Sequence, residues 1–301
     1  MLPVTKDQGE GAPSEDRRPI RFMTFNVRFD TPLDAPGGNR WADRLDSVVE
    51  TIRREAPDVL GVQEALRTQL GDLTSAFPDY RAVGKPREAG DVGEYVPVFF
   101  DLGRFDAEDH GDFWLSQTPE VEGSRGWDAD NPRHCTFARL RDRDSGARFA
   151  VFNTHLDRWG ALARLEAARL IVTRISVAAD LPAVVLGDFN AEEGSEPMAA
   201  FAAAGLRDTF REAHPDAADI QTVHHYTALS GTRKIDYIMC DRRWRVAAAG
   251  IVREPAAGRL PSDHFPVVAE LDPLPAGRPV SGGPRDRRAA TTPGAASPEP
   301  T

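Results

Sequence analysis

PAVVLGDFN, residues 182–190, decides how the rest of the chain is read. Ala183 to Gly187 are uncharged and small or aliphatic, which predicts a strand buried on both faces that stops at a polar tip. Asp188 and Asn190 stand two apart, so on an extended chain they project to the same side, a carboxylate beside an amide just past the strand end. One such tripeptide alone is an ordinary turn. Its meaning depends on what the other strands end in.

Upstream, IRFMTFNVRF (20–29) sets Ile20, Phe22, Thr24 and Asn26 against Arg21, Met23, Phe25 and Val27, a strand with Asn26 near its end. NRWADRLDSVVETIRRE (39–55) spaces Trp41, Leu45, Val48 and Ile52 for an amphipathic helix, with Asn39 as its cap and Pro57 as its stop. DVLGVQE (58–64) is a second short apolar run, ending in Gln63 and Glu64. Segments near 79–84, 94–100, 104–115, 134–141 and 148–154 read as an antiparallel meander, closing on VFNTHLD with His155 and Asp157. The stretch 159–179 predicts a helix that faces the core with Leu162, Leu165, Ala168, Val172 and Ile175. KIDYIMC (234–240) carries Asp236 in one more strand, and Ser262, Asp263 and His264 stand just before the last, FPVVAEL (265–271).

Composition narrows the class. With 301 residues and 41% hydrophobic content the chain can bury a large core, and no run approaches the length of a membrane span. The first residues lack a basic start followed by an apolar run, so no secretory signal is expected. Cys135 and Cys240 have neither metal nor redox spacing and are expected as reduced thiols of a cytoplasmic protein. Residues 1–19 and the Pro/Gly-rich 273–301 read as disordered tails around one domain, 20–272, expected to be monomeric. The chain's formal charge is −10 and the two tails together contribute +1, so that domain carries about −11, which weighs against a non-specific groove for a nucleic-acid backbone.

Asn26, Glu64, His155, Asp188, Asn190, Asp236, Asp263 and His264 thus all lie at or beside predicted strand ends. Oxygen donors from carboxylates and an amide suit Mg²⁺, or Mn²⁺, with histidines left for proton transfer or anion contact. Zinc is disfavoured, because the histidines lack HxxxH spacing and neither cysteine stands among them.

TFNVR, VQE, NTHLD, GDFN, KIDYI and SDHFPV occur in an order that resembles the endonuclease/exonuclease/phosphatase (DNase I-like) superfamily, here as a bacterial branch, over about 20–272. The resemblance implies an α/β four-layer sandwich, two mixed β-sheets packed face to face with helices outside and the site at one edge. It implies a magnesium-dependent phosphoric ester hydrolase in which Glu64 is the main metal ligand, with Asn26 and Asp263 nearby. Asp188 and Asn190 resemble the pair that positions water and holds phosphate; His264 oriented by Asp236 resembles the catalytic His–Asp pair, and His155 the second phosphate-facing histidine. Whether Asp188 or His264 is the base stays open.

One departure stands out: Arg28 occupies the place where apurinic-site endonucleases carry an Asp, either as a substrate contact in a one-metal site or as a surface ion pair. Trp114, Trp127, Arg133 and His134 are candidates for a substrate wall, with core packing the alternative for each tryptophan. Of the adjacent His224 and His225 at most one should face the pocket, and His224 is taken as a substrate contact. The function expected is hydrolysis of a phosphate ester of a small metabolite, a sugar phosphate, nucleotide or head-group diester. A nuclease or deadenylase is the alternative, and the acidic domain favours the metabolite.

Overall fold

Two crossovers organise the chain. Strand β1 (Ile20–Asn26), helix α1 (Trp41–Glu55) and strand β2 (Val59–Gln63) form one; β9 (Arg148–His155), α3 (Ala161–Val177) and β10 (Ala183–Asp188) form the other, and in each the two strands pair in parallel. The computed structural model describes residues 18–274 except 179, 228, 256 and 257. Between the crossovers lie α2 (Arg67–Ala76), β3 (Tyr80–Val83), β4 (Pro86–Glu88), β5 (Val92–Tyr95), β6 (Val98–Asp101), β7 (Phe105–Trp114) and β8 (His134–Asp142). After β10 come α4 (Glu196–Ala203), β11 (Arg207–Asp208), α5 (Thr209–Ala213), β12 (Asp236–Cys240), β13 (Trp244–Ile251) and β14 (Val267–Pro273).

The first sheet runs β13-β14-β1-β2-β6-β3 and the second β11-β12-β10-β9-β8-β7. Both mix parallel and antiparallel pairs, and helices cover their outer faces, so the expected α/β sandwich is what forms. The anticipated single meander divides instead: β7, β8 and β9 are one, but β3 and β6 belong to the other sheet and β4–β5 is a separate hairpin. Strand β13 escaped the sequence reading because its centre, Ala247 to Gly250, has no alternation of large apolar residues.

Between the sheets, Phe22, Phe100, Phe105, Phe149, Val184, Leu186, Ile238 and Trp244 are buried together, with Phe22–Phe149 and Phe149–Trp244 edge-on at 5.8 and 5.4 Å. Near the site this apolar layer gives way to amides. Gln63 Nε2 donates to Asn153 Oδ1 at 2.6 Å, and Asn153 Nδ2 donates to the carbonyls of Val62 and Pro97. The Gln63–Asn153 and Asn153–carbonyl bonds cross from one sheet to the other, which locks the register of the two sheets where β2 and β9 end.

Two helix details differ from expectation. Asn39 does not cap α1; the Asp30 carboxylate accepts from Trp41 N at 2.9 Å and also binds the Arg40 guanidinium at 2.7 Å. Helix α3 buries Ala163, Ala167, Ala168 and Ile171, while Leu162 is 48% exposed. Ala167, Ala168 and Ile171 join Phe152 and Val185 of the second sheet in one buried cluster.

The expected tails fall almost entirely outside the described residues. At the margins, Arg18 pairs with Asp58, and Leu274 N donates to Arg243 O at 2.8 Å. Cys135 and Cys240 are buried free thiols, and no helix among the described residues is long and apolar enough to cross a membrane.

Candidate active site

Parallel strands leave a sheet edge where their antiparallel neighbours enter it. Asn26 therefore pairs with Gln63, next to Glu64, at the ends of β1 and β2, and Asp188 pairs with His155 at the ends of β10 and β9. Asp188 also stands opposite Asp236, the first residue of β12, and His264 lies just before β14. Six segments distant in sequence meet at one edge for this topological reason.

The backbone is unusual there. Arg28, Glu64, Asn190, His225 and Tyr226 all have positive φ, between 46° and 64°. Such conformations cost non-glycine residues energy and persist where the surroundings over-determine them. Arg44 is one of the constraints: wholly buried, its guanidinium donates to the carbonyls of Val27 (2.8 Å), Arg28 (3.0 Å) and Pro261 (2.6 Å), tying β1 to the loop that carries Asp263 and His264.

At the centre, Asn26 Nδ2 donates to Glu64 Oε1 and to Asp188 Oδ2, both at 3.0 Å, while its Oδ1 accepts from Arg28 N. Asp188 Oδ1 accepts from Asn190 N at 2.9 Å. The Asn190 amide nitrogen stands 3.1 Å from His155 Nε2, which is 3.6 Å from Asp188 Oδ2. On the other flank His264 Nδ1 is 2.9 Å from Asp236 Oδ2, and His264 Nε2 points toward Asp188 at 3.9 Å.

This arrangement separates the charges. Burial, reinforced by repulsion from Asp236 and only partly relieved by His264, lifts the Asp188 carboxyl to about 7. Burial opposes charge on His264, but Asp236, Asp263 and Asp188 together outweigh it and raise the imidazole to about 10. Asp263 moves the opposite way from Asp188: burial is outweighed by His225, His264 and Arg28, which hold it well below the usual carboxylate range. His155 is driven well below its ordinary value by burial and by Arg133.

Ligand atoms of Glu64, His155 and Asp188 lie within 4.8 Å of one another. Two carboxylates, one of them half-exposed at the cleft, leave room for water and a phosphate oxygen, a donor set that fits a hard divalent ion. Asn26 bridges the two carboxylates. Asp263, expected beside Glu64, faces His225 Nδ1 at 3.4 Å and stands outside that group.

The centre opens into a cleft of about 270 Å³. Arg28 borders it while making a two-pronged ion pair with Asp34 at 3.0 and 3.1 Å. Arg133 also borders it, anchored on Asp157 at 3.4 Å. The reading of His224 as a substrate contact needs correction. Its ring packs 4.3 Å from Phe265 and its Nδ1 accepts from Tyr226 N, while His225, turned the other way, lines the cleft. Trp114 and His134 likewise stack on each other inside the fold at 5.8 Å, and Trp127 is not part of the cleft lining.

Several lining residues escaped the sequence reading: Arg87 and Glu94 on the β4–β5 hairpin, Arg158 and Trp159 after β9, and Arg233 before β12. The hairpin reaches the cleft because Tyr95 N donates to Ala65 O at 2.8 Å, directly after Glu64. Trp159 alone left a signal, a bulky aromatic in the five residues between β9 and α3, although the sequence pattern places it at the start of the helix.

Burial pushes His134 and His224 each down to about 4 from an ordinary value of 6.5. Unfolded, both bind protons more readily, so the stability they confer as neutral rings is present above about 6.5 and is lost as the pH falls toward 4. The urea midpoint is expected to fall steadily across that interval, and His134→Gln, which can still donate to Lys85 O, to flatten the fall. An unchanged slope in the variant would remove His134 from the account.

The profile of the Endonuclease/Exonuclease/phosphatase family matches residues 23–264. A solved endonuclease/exonuclease/phosphatase from Bacteroides vulgatus is 32% identical with a TM-score of 0.79, covering 85% of this chain and 100% of that one. A mannosyl-6-phosphatase from Bacteroides thetaiotaomicron is 31% identical with a TM-score of 0.75, covering 84% and 99%. Rat Nocturnin is 25% identical over 294 residues, covering 84% of this chain, which spans 64% of that relative's length.

Proposed function

Because the chain belongs to the Endonuclease/Exonuclease/phosphatase family, whose members hydrolyse phosphoester bonds, we propose that it is a divalent-metal-dependent phosphatase of a small phosphorylated metabolite. The observation that carries this reading is the cleft: about 270 Å³, opening over the carboxylate centre and lined by Arg28, Arg87, Arg133, Arg158 and Arg233. Five cations around one small pocket in an acidic protein suit a single phosphate with a small body, not a polymer backbone. The likeness to a mannosyl-6-phosphatase across nearly all of that chain supports the same choice.

Mg²⁺ or Mn²⁺ held at Glu64 would neutralise a phosphoryl oxygen and lower the pKa of a bound water. The protein's own groups account for the rest. Asn190 and His155 present their nitrogens to the phosphate from beside Asp188. Asp188, titrating near 7 and backed by Asn26 and Asn190, aligns and deprotonates the attacking water. His264, kept charged by Asp236, is a poor base at neutral pH and instead balances negative charge growing on the phosphoryl oxygens. Of the two bases left open by sequence, Asp188 is therefore the one proposed.

Phosphate release from sugar phosphates, nucleotides and head-group diesters, with Mg²⁺ and Mn²⁺ and beside labelled RNA and DNA, tests the proposal. The KM of the best small substrate is expected to change no more than about threefold between roughly 50 and 200 mM KCl, because few long-range contacts are screened. A steep log–log loss, with RNA or DNA as the best substrate, would overturn the metabolite reading in favour of a nuclease.

A further inference from the structure

The cleft has a second wall whose indole, carboxylate and amide the phosphate chemistry does not use. Its pivot is Asp157, which is buried and whose carboxylate binds two loops at once. Oδ1 accepts from Trp159 N at 3.0 Å and Gly160 N at 2.8 Å; Oδ2 accepts from Asp130 N at 3.1 Å and from Arg133 Nε at 3.4 Å. Asp128 closes the same corner by accepting from Ala163 N at 2.6 Å, in the first turn of α3. The loops at 128–133 and 157–160 are thereby held as one rigid rim.

On that rim stands Trp159, 69% exposed although its backbone is pinned, with the Arg158 guanidinium 4.8 Å from its ring centroid. Asp130 and Asn131 line the cleft beside it. An exposed, pre-positioned indole flanked by a carboxylate, an amide and a guanidinium combines a flat electron-rich face with acceptors and donors for hydroxyl groups. A pyranose meets both requirements, since its axial C–H bonds carry slight positive charge on one face and its hydroxyls radiate from the edge. A nucleobase would also use the indole, but a nucleotide adds a base to the sugar and phosphate that a cleft of about 270 Å³ must hold. The cleft volume also suits one saccharide ring attached to a phosphate.

We propose that Trp159, with Asp130 and Asn131, forms a sugar-ring subsite, so that the substrate is a monosaccharide phosphate; the substrate class rests on the phosphatase reading above, whereas binding of the sugar ring does not.

Two arms test it. In the first, kcat/KM for glucose 6-phosphate and for adenosine 5′-monophosphate is measured relative to glycerol phosphate, which has no ring. Trp159→Ala is expected to lower the glucose 6-phosphate ratio at least tenfold, and Trp159→Phe to restore most of it. A hexose ratio that stays constant, or a loss confined to the adenosine ratio, overturns the proposal. In the second arm, intrinsic fluorescence is titrated with glucose 6-phosphate in the Asp188→Asn background, where turnover is blocked. The expected saturable change disappears when Trp159→Phe is added. Fluorescence binding in this variant, with no phosphate release from glucose 6-phosphate by the wild-type enzyme, would sink the phosphatase reading and leave the sugar subsite standing. A fluorescence response that is absent, or that persists without Trp159, would sink the subsite alone.

Discussion

Replacing Asp188 with asparagine is expected to remove about 10²- to 10⁴-fold of kcat, the range typical of a lost general base, while leaving the melting temperature in EDTA unchanged or higher. The two effects have one cause. Asp188 is buried beside Asp236 and Glu64, so its charge is costly, and the carboxyl titrates near 7 instead of near its ordinary 3.8. A carboxyl whose pKa is raised by folding stabilises the fold below its unfolded value and loses that contribution as the pH rises through its folded value. Asparagine keeps the shape without the charge, so its advantage in stability should be larger at pH 8 than at pH 4. Activity measured beside urea unfolding at both pH values checks this. A variant that is active, or that is inactive because it is destabilised at pH 8, would remove Asp188 from the role of base.

Gly187→Ala is expected to be among the most damaging single-methyl additions in the fold, costing about 2–5 kcal/mol, or roughly 5–15 °C in Tm. Gly187 has φ of 146°, and a Cβ built there would sit 2.0 Å from the carbonyl oxygen of Thr154 on the neighbouring strand. That oxygen is backbone in the middle of a sheet and cannot swing aside. Gly61 supplies the contrast: its Cβ would lie 1.9 Å from Leu186 Cδ1, a side-chain methyl that can change rotamer. Thermal unfolding should therefore rank Gly187→Ala as the more destabilising of the two. The reverse order would show that the space between the sheets is tighter than the strand edge beside the site.

The order of strands and the chemistry at their tips were legible because both are local. A run such as Ala183–Gly187 ends where Asp188 begins, and alternation from Ile20 to Asn26 places the amide on the inner face in any sheet that forms. Helix faces were less legible. In α3 the leucine stripe is the stronger apolar signal, yet Ala163, Ala167, Ala168 and Ile171 are the buried residues, because the face a helix turns inward is set by its tertiary partners.

What the sequence by itself determined is thus the set of polar strand ends and the family to which six ordered motifs point. What only the tertiary structure decided is which of those ends touch and which loops enclose them. Asn26 meets Asp188 across 162 positions of chain because two crossovers present their strand ends at the same edge. His225 replaces His224 at the cleft because a positive φ turns the chain there. Arg87, Glu94 and Trp159 reach the site on a hairpin and a rim held by Tyr95 and Asp157. Side-chain periodicity reports only on a residue's own element, whereas the walls of a cleft are set by contacts between elements, and those carry no periodic signature in the sequence.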